Sequence, residues 1–212
     1  MSTRAETNLR GVAESLARWA WTYLNERWYG ISTRSRGEHV GAPDSEPYET
    51  PDYLLLRRTA RFLRPHVRPG DVFFELGCGK GRILAVMSRL PFAQLVGIEL
   101  DPRLAQIARE NVARLRGRHA PIEVDCSNVL ETDLDRGTFF FLFNPFGRQT
   151  TGDLVNRLRD SVARRPRRVV IVYHNAAYAT LFDEAGFLER IQRFTTPGGL
   201  DVVFWRSRQA SG

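Results

Sequence analysis

An apolar run, Val72-Phe73-Phe74-Glu75-Leu76, breaks into Gly77-Cys78-Gly79-Lys80-Gly81-Arg82. Glycines at 77, 79 and 81 let the backbone take dihedrals that other residues avoid and let a ligand approach the main chain closely. A strand, a glycine-rich turn and a helix in that order make a turn across which a cofactor lies. The GxGxxG spacing of dinucleotide folds would put its third glycine at position 82, where this chain has Arg82. Glu75, just ahead of the glycines, would repel a pyrophosphate but suits a ligand carrying an ammonium and a sulfonium.

A second acid closes the run Leu95-Val96-Gly97-Ile98-Glu99. A carboxylate at a strand end can accept hydrogen bonds from both hydroxyls of a ribose, so Glu99 is the expected ribose ligand. Asp101, directly before Pro102, reads as a helix cap instead. The tripeptide Asn144-Pro145-Phe146 follows the very apolar Phe139-Phe140-Phe141-Leu142-Phe143, at the carboxyl edge where open α/β sheets bind ligands. Two readings stand for it: a substrate-holding edge in which the aromatic ring also faces a cation, or a strand-ending turn with Asn144 capping and Phe146 packed as core. His174, in Tyr173-His174-Asn175 on the same edge, is either a general base near neutral pH or a hydrogen-bonded core histidine. The arginines 164, 165, 167 and 168 around Pro166 read as a solvated turn in preference to a phosphate clamp.

The elements that must position these residues alternate regularly. Strands are expected at Val72–Leu76, Leu95–Glu99, Ile122–Asp125, Thr138–Phe143 and Val169–Tyr173, with helices at Arg82–Arg89, Pro102–Leu115, Gly152–Ala163 and Tyr178–Ala185. That alternation is the signature of a parallel sheet covered on both faces, an α/β fold. Phe187–Phe194 and Leu200–Trp205 flank the turn Pro197-Gly198-Gly199 and read as an antiparallel pair. Upstream, Leu9, Val12, Ala13, Leu16, Ala20, Tyr23 and Leu24 recur at helical spacing up to Tyr29, widened by Trp19, Trp21 and Trp28; docking on the core is the preferred reading of this helix. A polar loop from Gly30 to Pro51 and a helix at about Asp52–Arg64 follow. The expected division is a helix and connecting loop at 1–47 and a cofactor-binding domain at 48–212.

The chain of 212 residues has a formal net charge of +7. Such basicity fits an anionic partner, but Lys80 is the single lysine, so an arginine-rich genomic bias explains it equally well. Cys78 and Cys126 are far apart and outside any CxxC, which supports neither a disulfide scaffold nor a zinc site and fits a reducing cytoplasm. No run approaches the roughly 20 apolar residues of a membrane span.

E-L-G-C-G-K-G-R at 75–82, G-I-E-L-D-P at 97–102 and N-P-F at 144–146 resemble class I S-adenosylmethionine-dependent methyltransferases over about residues 48–206. The resemblance implies a Rossmann-like sheet of order 3-2-1-4-5-7-6 with strand 7 antiparallel, S-adenosylmethionine as cofactor, and no metal. It also implies that Asn128 and Val129 meet the adenine, with Asp125 the alternative. Asn144-Pro145-Phe146 is similar to the N-P-P-aromatic motif of amino-methyltransferases, with Phe146 in place of the second proline. Tyr48-Glu49-Thr50-Pro51 resembles bacterial Dot1-like and small lysine methyltransferases, which implies that Tyr48 and Tyr53 close over cofactor or substrate. The expected activity is direct displacement, in which a nitrogen of a protein or small molecule attacks the methyl carbon of the sulfonium and S-adenosylhomocysteine leaves. An RNA or DNA methyltransferase, a non-catalytic nucleotide-binding module and an NAD-dependent dehydrogenase are the alternatives.

Overall fold

The structure is a computed structural model; it describes residues 2–34, 44 and 48–208, excepting the side chains of residues 2–14. Seven strands form one sheet: β1 Val72–Leu76, β2 Gln94–Glu99, β3 Ile122–Cys126, β4 Phe139–Phe143, β5 Val170–His174, β6 Leu188–Thr195 and β7 Asp201–Ser207. Their order is β3-β2-β1-β4-β5-β7-β6. The first five run parallel, and β7 is antiparallel to both β5 and β6. This is the expected architecture, and the physical reason is legible in β4: four of its five residues are fully buried, as a strand covered on both faces must be.

Alternate residues of each strand feed two separate cores. Phe73, Leu95, Phe139, Phe141 and Val172 pack under α2 (Tyr53–Leu63), α3 (Arg82–Met87) and α4 (Pro102–Arg114). Phe74, Val96, Phe140, Leu142 and Tyr173 pack against α5 (Arg148–Arg164) and α6 (Ala179–Asp183). The register sets these faces: Phe74 lies opposite both Val96 and Phe140, and Glu75 opposite Gly97 and Phe141. A one-residue slip would exchange the two faces, which is why the pairing is so strongly specified.

Two boundaries differ from expectation for identifiable reasons. The helix α5 begins at Arg148, ahead of the expected Gly152, because Asp44 caps it. The Asp44 carbonyl accepts the Gly147 N–H at 2.9 Å, and its carboxylate accepts the Thr150 N–H at 2.9 Å. Gly147, the N-cap itself, has no side chain to do this.

The N-terminal helix α1 runs from Ser2 to Tyr29, longer than expected at its start. The expected apolar stripe does not dock: Leu16, Trp19, Ala20, Tyr23 and Leu24 are exposed, and Leu9, Val12 and Ala13 have side chains outside the described residues. The opposite face docks, through Trp21, Asn25, Glu26 and Tyr29. Polar pairing selects that face, because Asn25 and Glu26 find partners only there. The Asn25 side-chain oxygen accepts from Arg57 at 2.8 Å, and Glu26 accepts the Thr33 N–H at 2.7 Å and the Thr33 hydroxyl at 2.9 Å. No described helix is long and apolar enough to cross a membrane.

Candidate cofactor and acceptor site

The glycine-rich turn joins β1 to α3, and its folding explains its composition. Gly77 has φ +80° and Gly79 has φ +50°, in the left-handed region that favours glycine. Space is equally restrictive: a Cβ on Gly77 would lie 2.5 Å from the Cβ of Pro145, and one on Gly79 would collide with the ring of Tyr48. The backbone N–H groups of Gly77 and Cys78 both donate to the Ile98 carbonyl at 2.9 Å, anchoring the turn to β2. Gly81 is the N-cap of α3.

Glu75 is buried beneath this turn, where its carboxylate accepts the Leu84 N–H at 3.0 Å and so caps the first turn of α3 from a distance. Burial pushes its carboxyl well above the ordinary carboxylate range; the Leu84 bond opposes that shift and the nearby Glu99 charge adds to it. The same burial raises the thiol of Cys78, which is therefore no reactive thiolate.

Glu99, at the end of β2, accepts the Gly79 N–H at 2.7 Å through Oε2 and the Asp101 N–H at 2.9 Å through Oε1. Each carboxylate oxygen retains acceptor capacity for one more donor, so the two hydroxyls of a ribose fit the group as it stands. Burial raises its pKa, with backbone N–H bonds from Asp101, Gly79 and Leu100 acting against the rise. Asp101 is the cap that the sequence suggested, accepting the Arg103 N–H at 2.8 Å at the start of α4.

Beyond β3, the Ser127 N–H donates to the Glu99 carbonyl at 3.0 Å, which brings Asn128 to the same edge. The Asn128 side-chain oxygen accepts the Leu130 N–H at 2.9 Å, closing a short turn, and Val129 is buried in the second core. Asp125 lies within β3, paired with Ile98, and not beyond the strand end.

Asn144 ends β4 in a left-handed conformation, φ +39°, and its side-chain oxygen accepts the Tyr173 hydroxyl at 2.9 Å. Tyr173 is fully buried and edge-on to Phe182, so the amide is held by a rigid neighbour. Phe146 is half-buried against the second core. Through the Gly77–Pro145 contact, the Asn144–Phe146 edge and the cofactor turn touch.

His174 is not part of this edge. It is fully buried, its Nε2 lies 2.9 Å from the Thr59 hydroxyl of α2, and its ring packs 4.6 Å from Phe141. Burial drives its pKa down to about 3, so it is too weakly basic, and too deeply covered, to act as the base. Tyr53 also departs from expectation: it stacks on Tyr29 in the core, with the Arg82 guanidinium 4.8 Å from its ring, instead of covering the turn. Tyr48 does reach the turn. Its ring lies against Gly79, its hydroxyl donates to the Thr33 carbonyl at 2.7 Å, and the Lys80 ammonium lies 5.1 Å from its ring. The arginines near Pro166 fasten the opposite end of the sheet, Arg167 to the Gly137 and Leu134 carbonyls and Arg168 to Asp71.

Three features were not legible in the sequence. Asp44 carries no local signal for its distant role. Arg82 donates to the Thr33 hydroxyl at 2.7 Å and the Pro51 carbonyl at 3.1 Å, and pairs with Glu26 at 3.4 Å, tying α1 to the cofactor turn. Asn111 of α4 donates to both the Ser32 and Lys80 carbonyls at 2.9 Å, closing the same junction. An arginine directly after a glycine turn was the one available hint.

Residues 73–160 match a family model described as a methyltransferase domain. The matched stretch and the sheet order are those of a methyltransferase domain, and S-adenosylmethionine is the cofactor they indicate. The domain is similar to the ribosomal protein L11 methyltransferase of Ralstonia nicotianae, 29% identical over 92 residues, 43% of this chain and 28% of that protein. The L11 methyltransferase of Caldanaerobacter subterraneus is 38% identical over 71 residues, 34% of this chain and 22% of that protein. The chain thus spans less than a third of the length of these curated relatives. Among solved structures, an RNA methyltransferase from Salinibacter ruber in complex with S-adenosylhomocysteine has a TM-score of 0.54 at 21% identity, covering 78% of this chain and 97% of that one. An O-methyltransferase from Bacillus cereus has a TM-score of 0.57 at 14% identity, covering 76% and 83%. These likenesses show the fold shared by methyltransferases of different acceptors.

Proposed function

We propose that this protein transfers a methyl group from S-adenosylmethionine to a nitrogen of a protein or small molecule held at Asn144–Phe146. The Gly77–Pro145 contact carries the reading, since it sets the acceptor edge directly against the cofactor turn. Glu99 would hold the ribose, the backbone of Gly77–Gly81 would line the cofactor, and Asn128 and Val129 would flank the adenine. Bound there, the cofactor supplies an electrophilic methyl group on a sulfonium. The Asn144 oxygen already accepts from Tyr173 and retains a lone pair for an acceptor N–H, while the exposed part of Phe146 offers a ring face. Alignment of this kind supplies several kcal/mol without an acid–base pair, so the loss of His174 as a base takes nothing from the reading.

A protein acceptor is supported by the L11 methyltransferase relatives, and a lysine by the resemblance of Tyr48–Pro51 to Dot1-like and small lysine methyltransferases. An RNA acceptor is the second reading, favoured by the net charge of +7 and by the RNA methyltransferase among the structural neighbours. A cytoplasmic setting suits both acceptors and the two free thiols.

Calorimetry with S-adenosylhomocysteine and NAD, followed by transfer of labelled methyl groups to ribosomal protein and to ribosomal RNA, tests the proposal. The expected result is binding of S-adenosylhomocysteine alone and label in protein. Asn144→Ala and Tyr173→Phe should keep cofactor binding and reduce transfer. Binding of NAD in place of S-adenosylhomocysteine would overturn the assignment; label in RNA alone would move the acceptor to the second reading.

A further inference from the structure

The helix α1 extends about 42 Å at the usual rise per residue, and among its described side chains docking begins at Trp21. On its exposed side, Leu16, Trp19, Tyr23, Leu24 and Trp28 follow the spacing i, i+3, i+7, i+8 and i+12, which places them on one side of the helix. Trp19 is 56% exposed and Trp28 53%, although such side chains in a folded domain normally find cover.

Cations accompany this stripe. Arg27 is exposed within it, Arg34 lies 5.9 Å from the centre of Trp19, and Arg57 and Arg89 lie 5.7 and 4.2 Å from that of Trp28. The one acid between residues 15 and 34, Glu26, is buried and ion-paired with Arg34 and Arg82. The exposed surface from Ser15 to Arg34 is therefore apolar, aromatic and positively charged.

We propose that this face of α1 lies on an anionic lipid bilayer, with Trp19, Tyr23 and Trp28 at headgroup depth, Leu16 and Leu24 below them, and the arginines on lipid phosphates. Charge complementarity selects this occupant. Two copies of the chain apposed along Ser15–Arg34 would bring arginines against arginines with no exposed acid to answer them. A nucleic acid would use the guanidiniums and rings, but would leave Leu16 and Leu24 without a partner. Interfacial helices combine aromatic and leucine residues with basic ones in this way, and anionic leaflets attract each added arginine. The site lies outside the cofactor turn, so the proposal stands apart from the identity of the acceptor.

The test is sedimentation of the full-length protein with vesicles of phosphatidylcholine alone or mixed with phosphatidylglycerol, at low and high salt. Trp19→Ser combined with Tyr23→Ser alters only exposed rings, and unchanged binding of S-adenosylhomocysteine would confirm its fold. Expected is binding to the anionic vesicles, weakened by salt and reduced roughly tenfold or more in the double variant. Failure to bind anionic vesicles, or binding that the double variant leaves intact, would overturn the proposal. So would a dimer seen by light scattering, or RNA binding, that is lost in the double variant in place of vesicle binding.

Discussion

The Glu99 carboxylate accepts the backbone N–H of Gly79 at 2.7 Å, so the cofactor turn and the end of β2 share one acid. The same side chain holds the Asp101 N–H, making it a structural strut as well as the expected ribose ligand.

Glu99→Ala should weaken binding of S-adenosylhomocysteine, because it removes a charged acceptor and frees two N–H groups. A loss of about 2 kcal/mol or more, some thirtyfold in Kd, is expected by calorimetry. The raised pKa adds a pH dependence. Affinity should fall, as pH is lowered, at a higher pH than an ordinary glutamate would give, and Glu99→Gln should flatten that limb. For folding the sign is opposite: the buried charge costs stability above its raised pKa, and protonation relieves that cost as pH falls through it.

Arg82 and Glu26 form an ion pair with both side chains about 95% buried. Arg82→Met alone should destabilise by roughly 2–3 kcal/mol in chemical denaturation, since it leaves the buried carboxylate with Arg34 as its one cation and frees the Pro51 carbonyl. Adding Glu26→Gln should recover a substantial part of the loss. Additive effects of the two changes would show that the pair is not coupled.

Asp44→Ala should lower the unfolding temperature at neutral pH by removing the cap of α5. The Thr150 N–H holds the Asp44 carboxyl below its ordinary pKa. A depressed folded-state pKa gives stability that is present above the unfolded value of 3.8 and lost as pH falls through the folded one. The melting curves of wild type and variant should therefore converge in acid.

His174→Gln should retain methyl transfer and leave its pH profile unchanged, since a buried neutral histidine contributes no titration near pH 7. Its folded pKa of about 3, against 6.5 unfolded, means that wild-type stability is full above 6.5 and declines as pH drops toward 3. Loss of transfer in a variant with native cofactor affinity would restore His174 to the chemistry.

The sequence alone determined the sheet and the glycine-rich turn that follows β1. Period-two and period-3.6 apolar patterns mark strands and helices locally, and Gly77, Gly79, Gly81 and Glu99 stand at chain positions where backbone geometry dictates residue type. These are short-range constraints, so they are written in consecutive residues. Only the tertiary structure decided the rest. The face of α1 that docks depends on where Arg57, Thr33 and Arg82 wait for Asn25 and Glu26. The start of α5 depends on Asp44, about a hundred residues upstream. His174 looks like an edge residue by sequence, but α2 covers it and pairs it with Thr59. In each case a polar group meets a partner distant in the chain; for Asn25, Glu26 and the His174 Nε2 burial also removes the alternative of water.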